Sequence, residues 1–327
     1  MADAIGIARE GKAPAKARLA GAAGPRRPGG GRGRSRLFAR QGVVAVGFTL
    51  PFLIIFALTM LAPIGYAIYT SLFTTKLIGG TAFSGFANYS QVLTTGWFWS
   101  GLARVAVFAA IQVPVTLFLA FFFASLFDLG VIRLGGFFRA LYFVPFAVPT
   151  VVAAIMWSFL LVPQYGTYTR LVSLLGFPGT NFFSGHLIVG TIVLIVIWEV
   201  TGYNMVIFYA ALKAVPREVV ESAIIDGASL RTIITRVKLP MVRPAVVMLC
   251  VLNLIGALQL FTEPSIVSSF QPGAVSFGFT PMIYIYNTAI GDGEYNLAAA
   301  AAVIFALVIA AASVGWLVTV KRKGTIR

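Results

Sequence analysis

Apolar residues run almost unbroken through six long stretches of this chain, at 43–70, 104–127, 137–162, 187–211, 244–263 and 297–320. Each reaches the ~20 residues that an α-helix needs to cross the hydrocarbon core of a bilayer. The pattern predicts an all-α integral membrane protein with about six transmembrane helices. Prolines at 51, 63, 114, 145 and 149 fall inside the runs. They predict kinks or broken turns, which membrane helices tolerate where neighbours or cavities satisfy the freed backbone.

Composition agrees. Of 327 residues, 59% are hydrophobic and 11% charged, against about 25% charged in a soluble domain. A net charge of +15 would suit nucleic acid if it formed one face. Instead the basic residues flank the apolar runs, which argues against a nucleic-acid partner. Ten Lys/Arg lie in residues 1–40, two at Arg133 and Arg139, six in the 213–243 loop and four in the 321–327 tail. The segments on the other side hold three: Lys76, Arg104 and Arg170. That asymmetry predicts cytoplasmic termini and a cytoplasmic 213–243 loop.

The same pattern divides the chain into domains. Residues 1–40, containing GPRRPGGGRGRSR, are expected to be a disordered basic tail. Residues 41–320 form the membrane domain and 321–327 a second short tail. The apolar run after the first tail is too long for the core of a cleaved signal peptide.

Little in the chain suggests catalysis. Gly6–Ala13, GIAREGKA, approaches a phosphate-loop pattern but lacks the Ser/Thr that binds magnesium. Cys250 is the single cysteine, sits in an apolar run and is expected to pack. His186 falls at a membrane edge, and no acid, base and nucleophile constellation is visible. No catalytic residue, cofactor site or metal site is expected in this chain.

Polar groups inside spans are the candidate chemistry. An acid at a helix centre costs about 2.5–3.5 kcal/mol on insertion scales, so it usually faces a cavity or a partner. Glu199 lies mid-span, with Tyr203 four residues on along the same face and Asn204 beside it. In the next span Asn253, Gly256, Gln259 and Glu263 share a broad face. Amide, hydroxyl and carboxylate groups with an aromatic ring suit a neutral polyhydroxylated ligand. No Lys or Arg lies deep in a span. The alternative role for these groups is hydrogen bonding between helices. In the last span Ala298, Ala302, Ala306 and Ala310 form a small-residue face expected to pack within the molecule, the alternative being a subunit interface.

The loop ALKAVPREVVESAIIDGASLRTIITRVKLPMVRP, 211–244, is the polar exception between spans. Pro216 can open a short helix with Val219, Val220, Ala223 and Ile224 on one face. Asp226-Gly227 is a stop and turn, and Ser229 can cap a second helix carrying Ile233, Ile234 and Val237. Such a unit can fit a partner's cleft, or lie amphipathically on the inner leaflet. The residues alone leave open a transporter subunit, a stand-alone ion-coupled transporter or channel using Glu199, and a scaffold whose tails bind anionic membrane lipid.

Glu221-Ser222-Ala223, Asp226-Gly227-Ala228 and Leu239-Pro240 resemble the EAA loop of permease subunits in binding-protein-dependent ABC importers. Ala211–Pro216 and Pro281–Tyr286 are also similar to those permeases, in particular the maltose-type carbohydrate branch. Ser222 stands where the pattern has its first alanine. Beyond Glu263-Pro264 the chain carries SSFQPGAVS at 268–276, where the family often has a glycine pair before proline. The resemblance implies a type I ABC importer permease of a bacterial inner membrane, carrying a sugar by alternating access. It implies docking of a cytoplasmic ATPase on Glu221, Ser222, Ala223, Asp226 and Gly227. It also implies a second permease, paired ATP-binding subunits holding ATP and Mg, and an extracytoplasmic sugar-binding protein.

Overall fold

The computed structural model of the chain describes residues 46–76, 79–185 and 187–322. The basic tail 1–40, the GIAREGKA segment, His186 and residues 323–327 lie outside the described residues. The chain separates into two compact units, one ending at Leu61 and one beginning at Ala62. In the first, residues 46–61 are helical, with a π-helical turn at Ala57–Leu61 and Phe52 stacked on Phe56.

Among the described residues, five helical stretches are long and apolar enough to span a bilayer: Val46–Ser71, Gly96–Asp128, Leu187–Lys213, Arg243–Phe270 and Tyr295–Trp316. One more span, third in chain order, is broken into Gly135–Ala147 and Thr150–Leu161, bent by 94°. The run expected at 137–162 is thus two half-helices, and the break predicted from its prolines falls at Val148–Pro149. The cause is local. Pro149 cannot donate to the helical ladder, and it drives Val148 to an extended backbone (φ −76°, ψ 128°).

In the second unit, α1 (Ala62–Ser71) leads to a hairpin of β1 (Phe73–Lys76) and β2 (Gly80–Phe83), paired antiparallel with Phe73 opposite Phe83. The apolar-run pattern did not anticipate this small hairpin, whose strands are only four residues each. A short α2 (Ala87–Thr94) comes next. Asn88, the first residue of an Asn-Tyr-Ser sequon, is buried there. Its amide donates to the carbonyls of Ser71 and Phe73 at 2.8 Å each.

The next helix, α3 (Gly96–Asp128), starts eight residues before the expected 104. Its first turns carry Trp97, Trp99, Ser100 and Arg104, which hide the start from a hydropathy reading. The half-buried Arg104 is held there by the carbonyl of Gly278 at 3.1 Å and by the Phe279 ring. After α3 come α4 (Gly135–Ala147), α5 (Thr150–Leu161), α6 (Thr167–Leu174) and α7 (Leu187–Lys213).

Helices α3 and α7 pack along their lengths, and α4 lies on α7. At Gly202 the approach is closest: any side chain there would run into the backbone carbonyl of Tyr142 in α4. Small residues permit such contacts between membrane helices, where packing rather than hydrophobic burial drives association.

The fifth span is also interrupted. It comprises α9 (Arg243–Leu258) and α10 (Thr262–Phe270), separated at Gln259–Phe261, with α8 (Arg217–Ile225) in the preceding loop. The chain continues through α11 (Pro281–Tyr286) to α12 (Tyr295–Arg322).

Three apolar clusters hold the helices. One joins Phe108, Trp157, Ile192, Ile195 and Val267. A second joins Phe98, Val105, Tyr284, Ala301 and Phe305. The third, at the α7–α9 loop, joins Phe127, Met205, Phe208, Leu212, Val242 and Leu249. Cys250 is half-buried and packs beside the first cluster. The alanine face of α12 is engaged only at its start. Ala298 is buried and Ala302 half-buried, while Ala306 and Ala310 are exposed, because Leu297, Ala301 and Phe305 turn a different stripe inward.

Candidate functional site

The two interrupted spans open a cavity of about 380 Å³ against α3 and α7. Tyr203, Asn204, Asn253, Gly256, Gln259 and Glu263 all line it. Glu199 stands one turn from Tyr203 and is buried at 6% exposure. Its carboxyl oxygen accepts a hydrogen bond from Thr150 Oγ1 at 2.5 Å, and Thr150 itself lines the cavity. The seven positions singled out in the sequence therefore fall at one site, six in its wall and Glu199 behind Thr150.

The break in the third span explains Thr150. It is the first residue of α5, directly after Pro149. The 94° bend turns the start of α5 toward α7 rather than continuing along α4. Gln259 lies in the gap between α9 and α10 and Glu263 just beyond it, and both line the cavity. Glu263 lies in the first turn of α10, where the positive end of the helix dipole favours an acid.

The polar wall is a relay of amides. Gln112 Nε2 donates to Thr116 Oγ1 at 3.0 Å and to Asn253 Oδ1 at 3.5 Å. Asn253 Nδ2 donates to Asn204 Oδ1 at 2.7 Å and to the Leu249 carbonyl at 2.9 Å. Asn204 Nδ2 donates to the Val200 carbonyl at 2.8 Å. Gln112 Oε1, buried, has no hydrogen-bond partner among the described residues. It is an acceptor on a cavity-lining residue, where a hydroxyl could satisfy it.

The apolar wall is aromatic. Phe146 and Tyr203 stack with ring centroids 4.5 Å apart and planes at 18°, and Phe108 and Phe261 complete it. No lysine or arginine is among the lining residues.

Gln112, Phe146 and Thr150 were missed by sequence reasoning. Gln112 carried a usable signal, a lone amide inside an apolar run. Phe146 and Thr150 carried none, because only the Pro149 break brings them to the site.

The loop between α7 and α9 forms a second candidate site. Pro216 sits at the N-cap of α8, and the helix ends at Asp226. Gly227 takes a left-handed φ of +76°. The Ala228 N–H bonds the Ala223 carbonyl at 2.9 Å, and the Gly227 N–H bonds the Ile224 carbonyl at 3.0 Å. Those two bonds make a Schellman stop, which requires the left-handed residue that glycine supplies most readily.

Ser229 then caps the next turn, accepting from the Thr232 N–H at 3.3 Å. Beyond it the chain makes one α turn, a π-helical Ile233–Lys238 and the Leu239–Met241 turn, rather than the single second helix expected. Glu221, Ser222, Asp226 and Gly227 are exposed and Ala223 is half-buried. Apolar side chains are exposed beside them: Ile225 at 85%, Leu230 at 59% and Ile224 at 57%. The amphipathic face expected of α8 is only half covered, at Val220 and Ala223.

Among the described residues, no group of three or more His, Cys, Asp or Glu could hold a metal ion.

Residues 116–324 match the model of the binding-protein-dependent transport system inner membrane component family. The chain belongs to this family. Its members are permease subunits of ABC transporters, and the membrane placement of this permease rests on that membership and on its spans. Its relatives include the sn-glycerol-3-phosphate transport system permease protein UgpA of Pectobacterium atrosepticum. The two are 29% identical over 277 residues, 84% of this permease and 93% of that one.

The trehalose/maltose transport system permease protein MalF of Thermococcus litoralis is 26% identical over 278 residues, covering 84% and 93%. Among solved structures, a bacterial ABC transporter involved in import of the acidic polysaccharide alginate superposes with a TM-score of 0.75. That match is at 19% identity and covers 88% of this permease and 99% of the other chain. The likeness supports the type I importer permease fold.

Proposed function

We propose that this permease carries a neutral sugar or oligosaccharide across the bacterial inner membrane as the pore subunit of an ATP-driven importer. The observation that carries the reading is the mid-span cavity, with its amide relay, stacked Phe146–Tyr203 pair and absence of cationic side chains. A polyhydroxylated ligand needs several hydrogen-bond partners and an apolar face to stack on. It needs no charge compensation.

The working complex has a second permease, two ATP-binding subunits that hold ATP and Mg, and an extracytoplasmic binding protein. In support, the exposed Ile224, Ile225 and Leu230 surround Glu221 and Asp226 on the α7–α9 loop. With both termini and the loop on the cytoplasmic side, the orientation that the distribution of basic residues favours, this surface faces the ATPase. Nucleotide binding there and substrate binding in the cavity each bias one equilibrium between inward and outward openings. Chemistry on the sugar plays no part.

The UgpA relatives favour a second reading, an anionic polyol. In that case the anion's charge must be met outside this cavity wall, by the paired permease. One experiment separates the two. The transporter is reconstituted in proteoliposomes with its binding protein and ATP inside, and uptake of maltose, trehalose and glycerol 3-phosphate is measured. ATP-dependent uptake of a neutral sugar, lost in Tyr203→Ala and Asn253→Ala, supports the first reading. Uptake of glycerol 3-phosphate alone supports the second, and uptake without ATP overturns both.

A further inference from the structure

Asp128 is the last residue of α3 and the sole acid in that helix. A carboxylate at a helix C-terminus meets the negative end of the dipole, so it needs cations nearby. It has two. Lys213 Nζ, at the end of α7, lies 3.1 Å from Asp128 Oδ1 and also reaches the Asp128 carbonyl. Lys238, from the π-helical part of the α7–α9 loop, pairs with Asp128 Oδ2. The Asp128 side chain is 4% exposed and that of Lys238 11%, whereas Lys213 is half exposed. One buried carboxylate thus ties three segments together at a single point.

Those segments are the ones that matter for transport. Helix α3 carries Gln112, and α7 carries Glu199, Tyr203 and Asn204. Lys238 lies on the same loop as Gly227 and the exposed α8 surface. The apolar cluster of Phe127, Leu212 and Val242 packs these segments together, and non-directional contacts of that kind permit sliding. A buried, two-sided ion pair resists it, because parting the charges strands one of them away from water.

We infer that Asp128 is a coupling hub, a positioning residue that passes displacement of the loop through Lys238 to the ends of α3 and α7 and so to the cavity. The inference rests on the importer reading above and goes beyond it in naming the joint.

The test uses the assembled transporter purified from its own membrane. Hydrogen–deuterium exchange is measured by mass spectrometry, with and without Mg-ATP and vanadate. Wild type should show a nucleotide-dependent change both in loop peptides spanning 217–232 and at the α9–α10 gap, 258–263. In Asp128→Asn and Lys238→Met the loop response should persist, while the response at 258–263 falls by about five-fold or more, the lower end of typical coupling factors. Lys238→Arg, which keeps the charge, should respond as wild type. Lys213→Gln, at the half-exposed partner, should give a smaller loss and serves if the buried variants fail to assemble.

An undiminished response at 258–263 in assembled variants overturns the inference. So does failure of all three charge-removing variants to assemble, which would make the cluster structural only. Wild-type complex that lacks an ATPase, or shows no nucleotide response in the loop, overturns the importer reading itself and this inference with it.

Discussion

Replacing Gly227 separates the backbone requirement of the loop from its docking role. In the free chain an added Cβ at Gly227 would meet no atom within 4 Å, so substitution creates no clash. What it does create is backbone strain, because φ is +76°. A left-handed conformation costs an ordinary L-residue roughly 1–2 kcal/mol, and asparagine less. Every 1.4 kcal/mol is about ten-fold in population, so Gly227→Ala should weaken the Schellman stop by about that factor. The spans, held by clusters far larger than one turn, should stay intact.

Gly227→Trp has the same backbone cost and adds a bulky ring on the exposed surface proposed to meet the ATPase. The expected order is Asn close to wild type, Ala intermediate and Trp inactive. ATP-driven uptake in proteoliposomes and the amount of co-purifying ATPase would be measured, alongside detergent-solution monodispersity. Full uptake and ATPase retention by Gly227→Trp would refute the docking role. An aggregated Trp variant would refute the claim that this glycine is not needed for the fold.

The geometry predicts three further outcomes. At Gly256 an added Cβ would also meet nothing within 4 Å, and the residue lines the cavity. Gly256→Leu should therefore fill the site and abolish uptake while assembly and basal ATP hydrolysis persist; retained uptake would remove this cavity from the pathway. Gly202 is the opposite case, since its Cβ would strike the Tyr142 backbone. Gly202→Val should cost about 1–3 kcal/mol of overpacking and lower the thermal midpoint of the purified complex, and an unchanged midpoint would contradict the α4–α7 contact. Thr150→Val removes the hydroxyl bonded to Glu199. It should lower sugar affinity with little change in the maximal uptake rate, measured as a rise in the half-saturating sugar concentration.

Much of this architecture is legible in the residues. Apolar length alone places the spans, because a bilayer fixes how many apolar residues a helix needs. Asp226-Gly227 announces its own turn, since few residues tolerate a left-handed φ. What eluded sequence reasoning depended on backbone direction. Pro149 was visible as a breaker, yet nothing local says that the break turns Thr150 toward Glu199. The amides at 204 and 253 could be placed on faces of their own helices, but not paired with each other or with Gln112. Hydropathy began α3 at Arg104 because its tryptophan-rich first turns look like an interface. Lys213 and Lys238 counted only as basic residues of the loop, and Asp128 not at all, until the fold brought them to one point.

The most direct test of the central claim is to purify the tagged permease from its native membrane in mild detergent and determine what accompanies it in fixed stoichiometry. The account predicts a second six-span permease and a pair of cytoplasmic ATP-binding subunits, with ATP hydrolysis stimulated by the sugar-loaded binding protein. A well-folded, monodisperse preparation containing this chain alone, or only copies of itself, would contradict it.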